Sequence, residues 1–320
     1  MASVLPLPQW PTLNLEREFE GTVCGVDEAG YAPLAGPVVA AAVILPRGPK
    51  PRQLRGLTDS KLLQAKAREK FFDIIHRLAR VGVGIATVEE IDRLNIFRAD
   101  MLAMQRAVEA LDAVPDVALV DGRGKPPVRC TVKTVIKGDR RSLSIAAASV
   151  IAKVVRDRLM HGLAARYPGY GWHTNVGYGT DAHYLGLLRK GPTEHHRRTF
   201  APLTTIFSPH SRALTQWSFR CPEQEPDLGR VKLLALRQDL HAVFDGTGHH
   251  IGMVKNMRGT WTFQAMGYGD DEEPLPGKGP CASCHGAGLA EPARHALIRL
   301  FSVTRAVCTP SDYPGGVAAQ

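Results

Sequence analysis

The chain has 320 residues, 44% hydrophobic and 22% charged, which is longer than one usual domain and balanced like an ordinary globular protein. No apolar run reaches the roughly 18 to 20 residues that span a bilayer, and Met1 to Phe19 lacks a basic start and a continuous apolar stretch. These features exclude a helical membrane protein and a visible secretory signal, so the cytoplasm is the expected location. The net charge of +9 is uneven: residues 206–320 hold 11 basic and 11 acidic groups, leaving 29 and 20 for the first 205. That surplus suits a polyanion-binding surface, although a soluble enzyme that merely happens to be basic is equally open on charge alone. Six cysteines in a chain of this size do not suggest a disulfide framework.

In chain order, three short segments rich in Val, Ala and Ile read as strands: Gly21 to Val26, Val38 to Leu45 and Val81 to Val88. Between the second and third, Leu63, Ala67, Phe71, Ile74 and Leu78 recur at three- and four-residue spacing, which predicts a helix over Ser60 to Leu78. A second helix is expected from about Thr87 through Leu111. Val117 to Val120 is a short strand ending in the turn pair Asp121-Gly122, and Val128 to Ile136 is another, stopped by Lys137-Gly138-Asp139. Ser144 to Arg166 follows as a long helix with an alanine face. This order predicts an α/β fold built on a mixed sheet. From Phe207 the texture changes. The expected divisions are an N-terminal extension over 1–19, a main domain over 20–206, a Pro-bearing polar linker over 207–230 and a C-terminal extension over 231–320. A helix is expected at Val231 to Phe244.

Asp27 and Glu28 sit where an apolar strand runs into Gly30; Asp121 ends a second strand and Asp139 follows a third. Each position alone is an ordinary turn acid. Brought together at neighbouring strand ends, the four would repel one another unless cations held them, and hard oxygen donors favour Mg²⁺ or Mn²⁺. Exposed turn acids remain the alternative at this point.

Further motifs surround these acids. Gly25-Val-Asp-Glu-Ala-Gly30, Pro33-Leu-Ala-Gly-Pro37, Leu57-Thr-Asp-Ser-Lys61 and Glu90-Ile-Asp-Arg-Leu-Asn-Ile96 are followed by Val120-Asp-Gly122, Lys137-Gly-Asp139 and Ala147-Ala-Ser-Val-Ile-Ala-Lys153. Gly177-Tyr-Gly-Thr180 and His195-His-Arg-Arg-Thr-Phe-Ala-Pro202 complete the series. In this order they resemble ribonuclease HII over residues 20–205. The resemblance implies a ribonuclease H-like mixed sheet flanked by helices. It also implies endonucleolytic cleavage of RNA in RNA–DNA hybrids and at single ribonucleotides in duplex DNA, leaving 5′-phosphates, with Mn²⁺ or Mg²⁺ as cofactor. By motif, Asp27, Glu28, Asp121 and Asp139 would be the metal-binding catalytic carboxylates, and Tyr178 would stack beside the RNA–DNA junction. The family reads the 2′-hydroxyl with a Gly-Arg-Gly triplet; here it is Gly30-Tyr31-Ala32, without the guanidinium fork and with an added Cβ. A relative that binds hybrids but cuts them weakly is the alternative this departure raises. Lys61 is a candidate phosphate contact, with Asp59 or Ser60 as helix caps. Asp92 and Asn95 read as turn anchors, Lys153 and Arg156 as cleft-side or solvated cations, and His195 to Arg198 as a basic cluster suited to a DNA backbone or a helix-end patch.

The tail carries Cys281-Ala-Ser-Cys284-His285, the spacing of covalent c-type haem attachment. With Met253 to Met257 and Trp261 to Phe263 it loosely resembles the C-terminal half of a small c-type cytochrome. Zinc, with His249, His250 or Cys308 added, and a free thiol pair are the other readings of Cys281, Cys284 and His285.

Overall fold

A computed structural model describes residues 10–201 and 203–206, and beyond them 215–218, 230–237, 239–244, 250–257, 260–268, 274–276 and 288–289. The chain divides into two compact units, Met1–Thr199 and Phe200–Gln320. In the first, β1 (Val23–Ala29), β2 (Val38–Ile44), β3 (Arg80–Ala86), β4 (Val117–Asp121) and β5 (Thr131–Val135) form one sheet in the order β3-β2-β1-β4-β5. The β1–β2 and β2–β3 pairs are antiparallel, and β1–β4 and β4–β5 are parallel. This is the expected mixed sheet, with β1 at its centre.

Helices cover both faces. On one, α1 (Ala65–Leu78) and α4 (Leu143–Arg166) share a core with Ala41 and Val43 of β2, through Phe71, Ile75, Ala147 and Ile151. The pleat turns alternate residues to the other face. There Gly82 and Gly84, paired with Ala42 and Ala40, let the backbone of α3 (Ile96–Glu109) approach so closely that a Cβ would strike the carbonyls of Ala107 and Ala103. The helix expected from Thr87 to Leu111 is two: α2 (Val88–Leu94) and α3, divided at Asn95. Asn95 adopts φ 73° and its side chain accepts from Arg98 N at 3.1 Å, so one residue ends α2 and caps α3. The helix expected from Ser60 starts at Ala65, because Asp59 caps only a 3₁₀ turn over Ser60–Leu62 and the chain is extended at Leu63 and Gln64. Two short helices, α5 (Trp172–Asn175) and α6 (Asp181–Lys190), follow α4. No described helix is long and apolar enough to cross a membrane. Cys24 and Cys130 are free thiols.

The second unit begins with α7 (Leu203–Ile206) and continues as β6 (Thr215–Ser218), β7 (Arg230–Arg237), β8 (Leu240–Phe244), β9 (His250–Met257), β10 (Thr260–Tyr268), β11 (Pro274–Pro276) and β12 (Gly288–Leu289). Strands β6 to β11 pair in sequence order, antiparallel throughout, and β12 joins β10. The helix expected at Val231 to Phe244 is therefore the β7–β8 hairpin. Leu and Ala favour a helix locally, but a turn at Asp239 and ladder pairing on both sides of β8 override that preference, and Leu240 and Ala242 alternate inward. Cys281, Cys284 and His285 lie outside the described residues.

One anchor ties the start of the described chain to the N-terminal end of α4. Glu16 Oε1 accepts from Ser142 Oγ (2.6 Å), Ser144 N (2.9 Å) and Ser144 Oγ (2.8 Å), where a carboxylate meets the positive end of α4. Glu16→Ala should lower stability by about 1–3 kcal/mol, read as a drop in the urea midpoint at unchanged m-value; an unchanged midpoint would show that water replaces the carboxylate.

Candidate active site

Parallel pairing of β1 with β4 matches Val26 to Val120, so the next residues in register, Asp27 and Asp121, emerge side by side. Asp121 in turn pairs with Val135 at the end of β5. The chain then turns at Lys137, φ 54°, so that Gly138 N reaches back to Asp121 Oδ1 at 2.6 Å and Asp139 joins the two other acids. Ligand oxygens of Asp27, Asp121 and Asp139 all lie within 4.8 Å of one another. Glu28 lies outside that triplet; its backbone N–H donates to Asp27 Oδ1 at 2.8 Å.

The electrostatics are those of crowded like charges. Burial, then the charges of Glu28 and Asp121, push the Asp27 carboxyl well above its usual range, opposed by a hydrogen bond from Ser149. Burial and Asp121 push Glu28 up, and burial with Asp59 and Asp121 pushes Asp139 up to about 6. Lys61 answers them: burial alone would lower its ammonium, but Asp27, Asp59 and Glu28 outweigh that and raise it. A partly buried, mutually repelling, oxygen-only set fits a hard divalent cation such as Mn²⁺ or Mg²⁺.

The sequence-based reading missed Asp100. It sits in α3 among Ala99, Met101, Ala103 and Met104, is itself buried, and its Oδ1 has no hydrogen-bond partner. Burial and the charge of Glu28 push it up to about 8. The available signal was an acid on the buried stripe of an amphipathic helix.

Tyr178 is 41% exposed on the turn between α5 and α6. Asn175 donates to Tyr170 O and Thr180 Oγ1 and accepts from Gly177 N, which shapes that turn. His183 Nδ1 lies 3.0 Å from Tyr178 O, while its Nε2 meets Trp172 Nε1 at 3.1 Å and His196 Nε2 at 3.0 Å. Trp172 can only donate, so His183 Nε2 accepts and His183 Nδ1 donates to Tyr178 O. Burial holds both imidazoles neutral, pushing His183 down to about 4 and His196 to about 3.

Within the stretch from His195 to Arg198, Arg198 is exposed and His195 half-buried. His196 and Arg197 are fully buried, and Arg198 N and Thr199 donate to Asp92, which anchors the turn as expected. Arg156 is buried as well, and Lys153 pairs with Asp157 at 2.6 Å. Tyr31 and Ala32 are exposed, and Gly30 is buried with φ 98°.

The ribonuclease HII family profile matches residues 24–203, which include all four acids and Tyr178. This chain belongs to the ribonuclease HII family. A ribonuclease HII from Granulibacter bethesdensis is 53% identical over 211 residues, covering 64% of this chain and 95% of that protein. Another from Ruegeria pomeroyi is 55% identical over 185 residues, covering 58% of this chain and 78% of that one. Among solved structures, ribonuclease H2 from Pyrococcus horikoshii aligns with TM-score 0.49 at 26% identity, over 58% of this chain and 96% of its own. In the turn after the acid pair, where this chain has Gly30, Tyr31 and Ala32, the Gly30 and Tyr31 carbonyls both accept from Arg197. The main chain at Gly30 and Tyr31 is therefore held by bonds that do not involve the Tyr31 side chain.

The raised Asp139 carboxyl has a signed consequence for the metal-free protein. A group whose pKa is higher folded than unfolded contributes stability at low pH and loses it as pH rises, here from about 4 to about 6. In EDTA, Asp139→Asn should therefore gain stability relative to the parent across that window and hold a constant advantage above it. Urea midpoints of both proteins against pH test this, and parallel curves would remove the repulsion argument.

Proposed function

We propose that this chain is an endonuclease that cuts the RNA strand of RNA–DNA hybrids and nicks 5′ to single ribonucleotides in duplex DNA, leaving 5′-phosphates. The observation that carries the reading is the convergence of Asp27, Asp121 and Asp139 within 4.8 Å in a ribonuclease HII chain. Those three and Glu28 would hold divalent cations, for which both Mn²⁺ and Mg²⁺ suit an all-oxygen donor set. When bound, such cations neutralise charge, activate a water and stabilise the leaving oxygen of a phosphodiester.

The chain's own groups set where that chemistry falls. The ends of β1 and β4 and the Lys137 turn aim the carboxylates, and the acceptor role of Asp121 toward Gly138 N locks the turn bearing Asp139. Lys61, exposed and raised by the same acids, offers a point charge to the scissile phosphate. Tyr178 presents an exposed aromatic face for stacking beside the junction, and the held main chain at Gly30 to Ala32 approaches the 2′-hydroxyl, the one mark separating RNA from DNA. The basic surplus of the first 205 residues supplies sequence-independent attraction to phosphate.

The direct test is a labelled DNA duplex with one ribonucleotide, incubated with Mn²⁺ and the parent or Asp27→Asn protein. The parent should nick 5′ to the ribonucleotide, and the variant should be slower by about 100-fold or more; no nick from the parent, with Mn²⁺ or with Mg²⁺, would refute the reading. Tyr178→Ala should lower kcat/KM by about tenfold, the stacking energy of one base, with the melting temperature nearly unchanged because the ring is exposed. Undiminished kcat/KM would show that the ring does not face the substrate.

A further inference from the structure

Two guanidinium groups lie inside the nuclease unit: Arg156 of α4 is 1% exposed and Arg197 is 0% exposed. Burying such a charge is costly unless its donors are met by well-placed acceptors. Here backbone carbonyls of two turns meet them. Arg156 donates through Nε to Pro37 O (3.0 Å), through Nη2 to Ala35 O (3.1 Å) and through Nη1 to Val176 O (2.9 Å). Arg197 donates through Nε to Gly36 O (3.0 Å), through Nη1 to Tyr31 O (2.9 Å) and through Nη2 to Gly30 O (2.5 Å) and Pro37 O (3.3 Å).

Five of those six carbonyls belong to the turn that follows Asp27 and Glu28, and the sixth opens the turn that carries Tyr178. The main chain adds a bridge between the two turns, Leu34 N donating to Gly177 O at 2.9 Å, while bonds from Gly36 N to His195 O at 2.8 Å and from Arg197 N to Leu34 O at 2.9 Å tie the first turn to the segment that carries Arg197. Gly30 fits only without a Cβ, which would strike Arg156 Nε. A planar fork with donors at fixed angles sets the relative position of its acceptors, which a lysine ammonium cannot do.

We propose that Arg156 and Arg197 are positioning residues, Arg197 fixing the path of the Gly30–Pro37 turn and Arg156 tying that turn to the Tyr178 turn, and that this lock sets the selectivity for an isolated ribonucleotide. The proposal rests on the nuclease reading above. Both arginines are buried; Arg156 donates to both turns and Arg197 to the first. A single ribonucleotide offers one 2′-hydroxyl and one junction, so both turns must meet it at once, whereas a continuous hybrid offers a productive register at every step and tolerates a loosened pair.

The experiment compares kcat/KM on a duplex with one ribonucleotide and on a continuous RNA–DNA hybrid, with Mn²⁺, well below each protein's melting temperature. Arg156→Lys and Arg197→Lys should lower the ratio of the first value to the second by about tenfold, with the loss mainly in KM for the single-ribonucleotide duplex. Ile75→Ala, a core change in α1 outside both turns, controls for lost stability and should leave the ratio within twofold of the parent. Gly36→Ala serves if the lysine variants do not fold. Gly36 is buried at φ 85°, and a Cβ there would press on Met160 Sδ and come within 3.4 Å of Arg156 Nη2, so it should shift the ratio the same way. Folded lysine or Gly36→Ala variants that keep the parent's ratio overturn the proposal alone, as does a ratio that falls equally in Ile75→Ala. A parent that cuts neither substrate overturns the nuclease reading and the proposal with it.

Discussion

Carboxylates gathered at one point repel one another, and much of the nuclease unit serves to hold them there. The acid pair stands on the central strand, which is hydrogen-bonded on both sides, antiparallel to β2 and parallel to β4. Escape by fraying is therefore closed to Asp27. The parallel register brings Asp121 beside it, and the left-handed residue Lys137 returns Asp139 to the same place. Burial and neighbouring charge both push the Asp27 and Asp139 carboxyls up, the direction that crowded like charges out of water require. A site so loaded favours cations, whether a lysine beside it or divalent ions within it.

Around the acids lies a second tier made almost entirely of grips on main-chain atoms. Arg156 and Arg197 bind carbonyls, His183 donates to Tyr178 O, Asp92 accepts from Arg198 N and Thr199, and Asn175 ties Gly177 N. Contacts of this kind fix where a turn runs while leaving its outward side chains free to vary. Tyr31 illustrates the point: its ring is 41% exposed, yet its carbonyl is held at 2.9 Å. The grip on this turn is thus made to its main chain, apart from the side chain that Tyr31 presents.

How much was legible in advance follows the range of the interactions involved. The five strands of the sheet and α4 were readable because apolar clustering and turn residues act within a few positions. The split at Asn95 and the late start of α1 were not, since each depends on a capping side chain competing with helix propensity over one or two residues. The β7–β8 hairpin was misread as a helix because ladder partners, not local preference, decide strands. Among charged residues, three of the four strand-end acids converge as expected and Glu28 lies beside them, whereas His196, Arg156 and Arg197, whose type suggests the surface, are buried. Only burial shows that their donors are turned inward.

The order of motifs along the chain, by itself, determined the family, the mixed sheet and the residues to suspect, because motif identity and short-range periodicity are one-dimensional properties. The tertiary structure decided the rest. It showed that Asp27, Asp121 and Asp139 form a triplet with Glu28 beside it, that Asp100 is a buried acid within the field of Glu28, and that two buried arginines hold the main chain of the turn after the acid pair. These depend on distances between residues up to 167 positions apart in the chain, which are set only when sheet register and helix packing close around them.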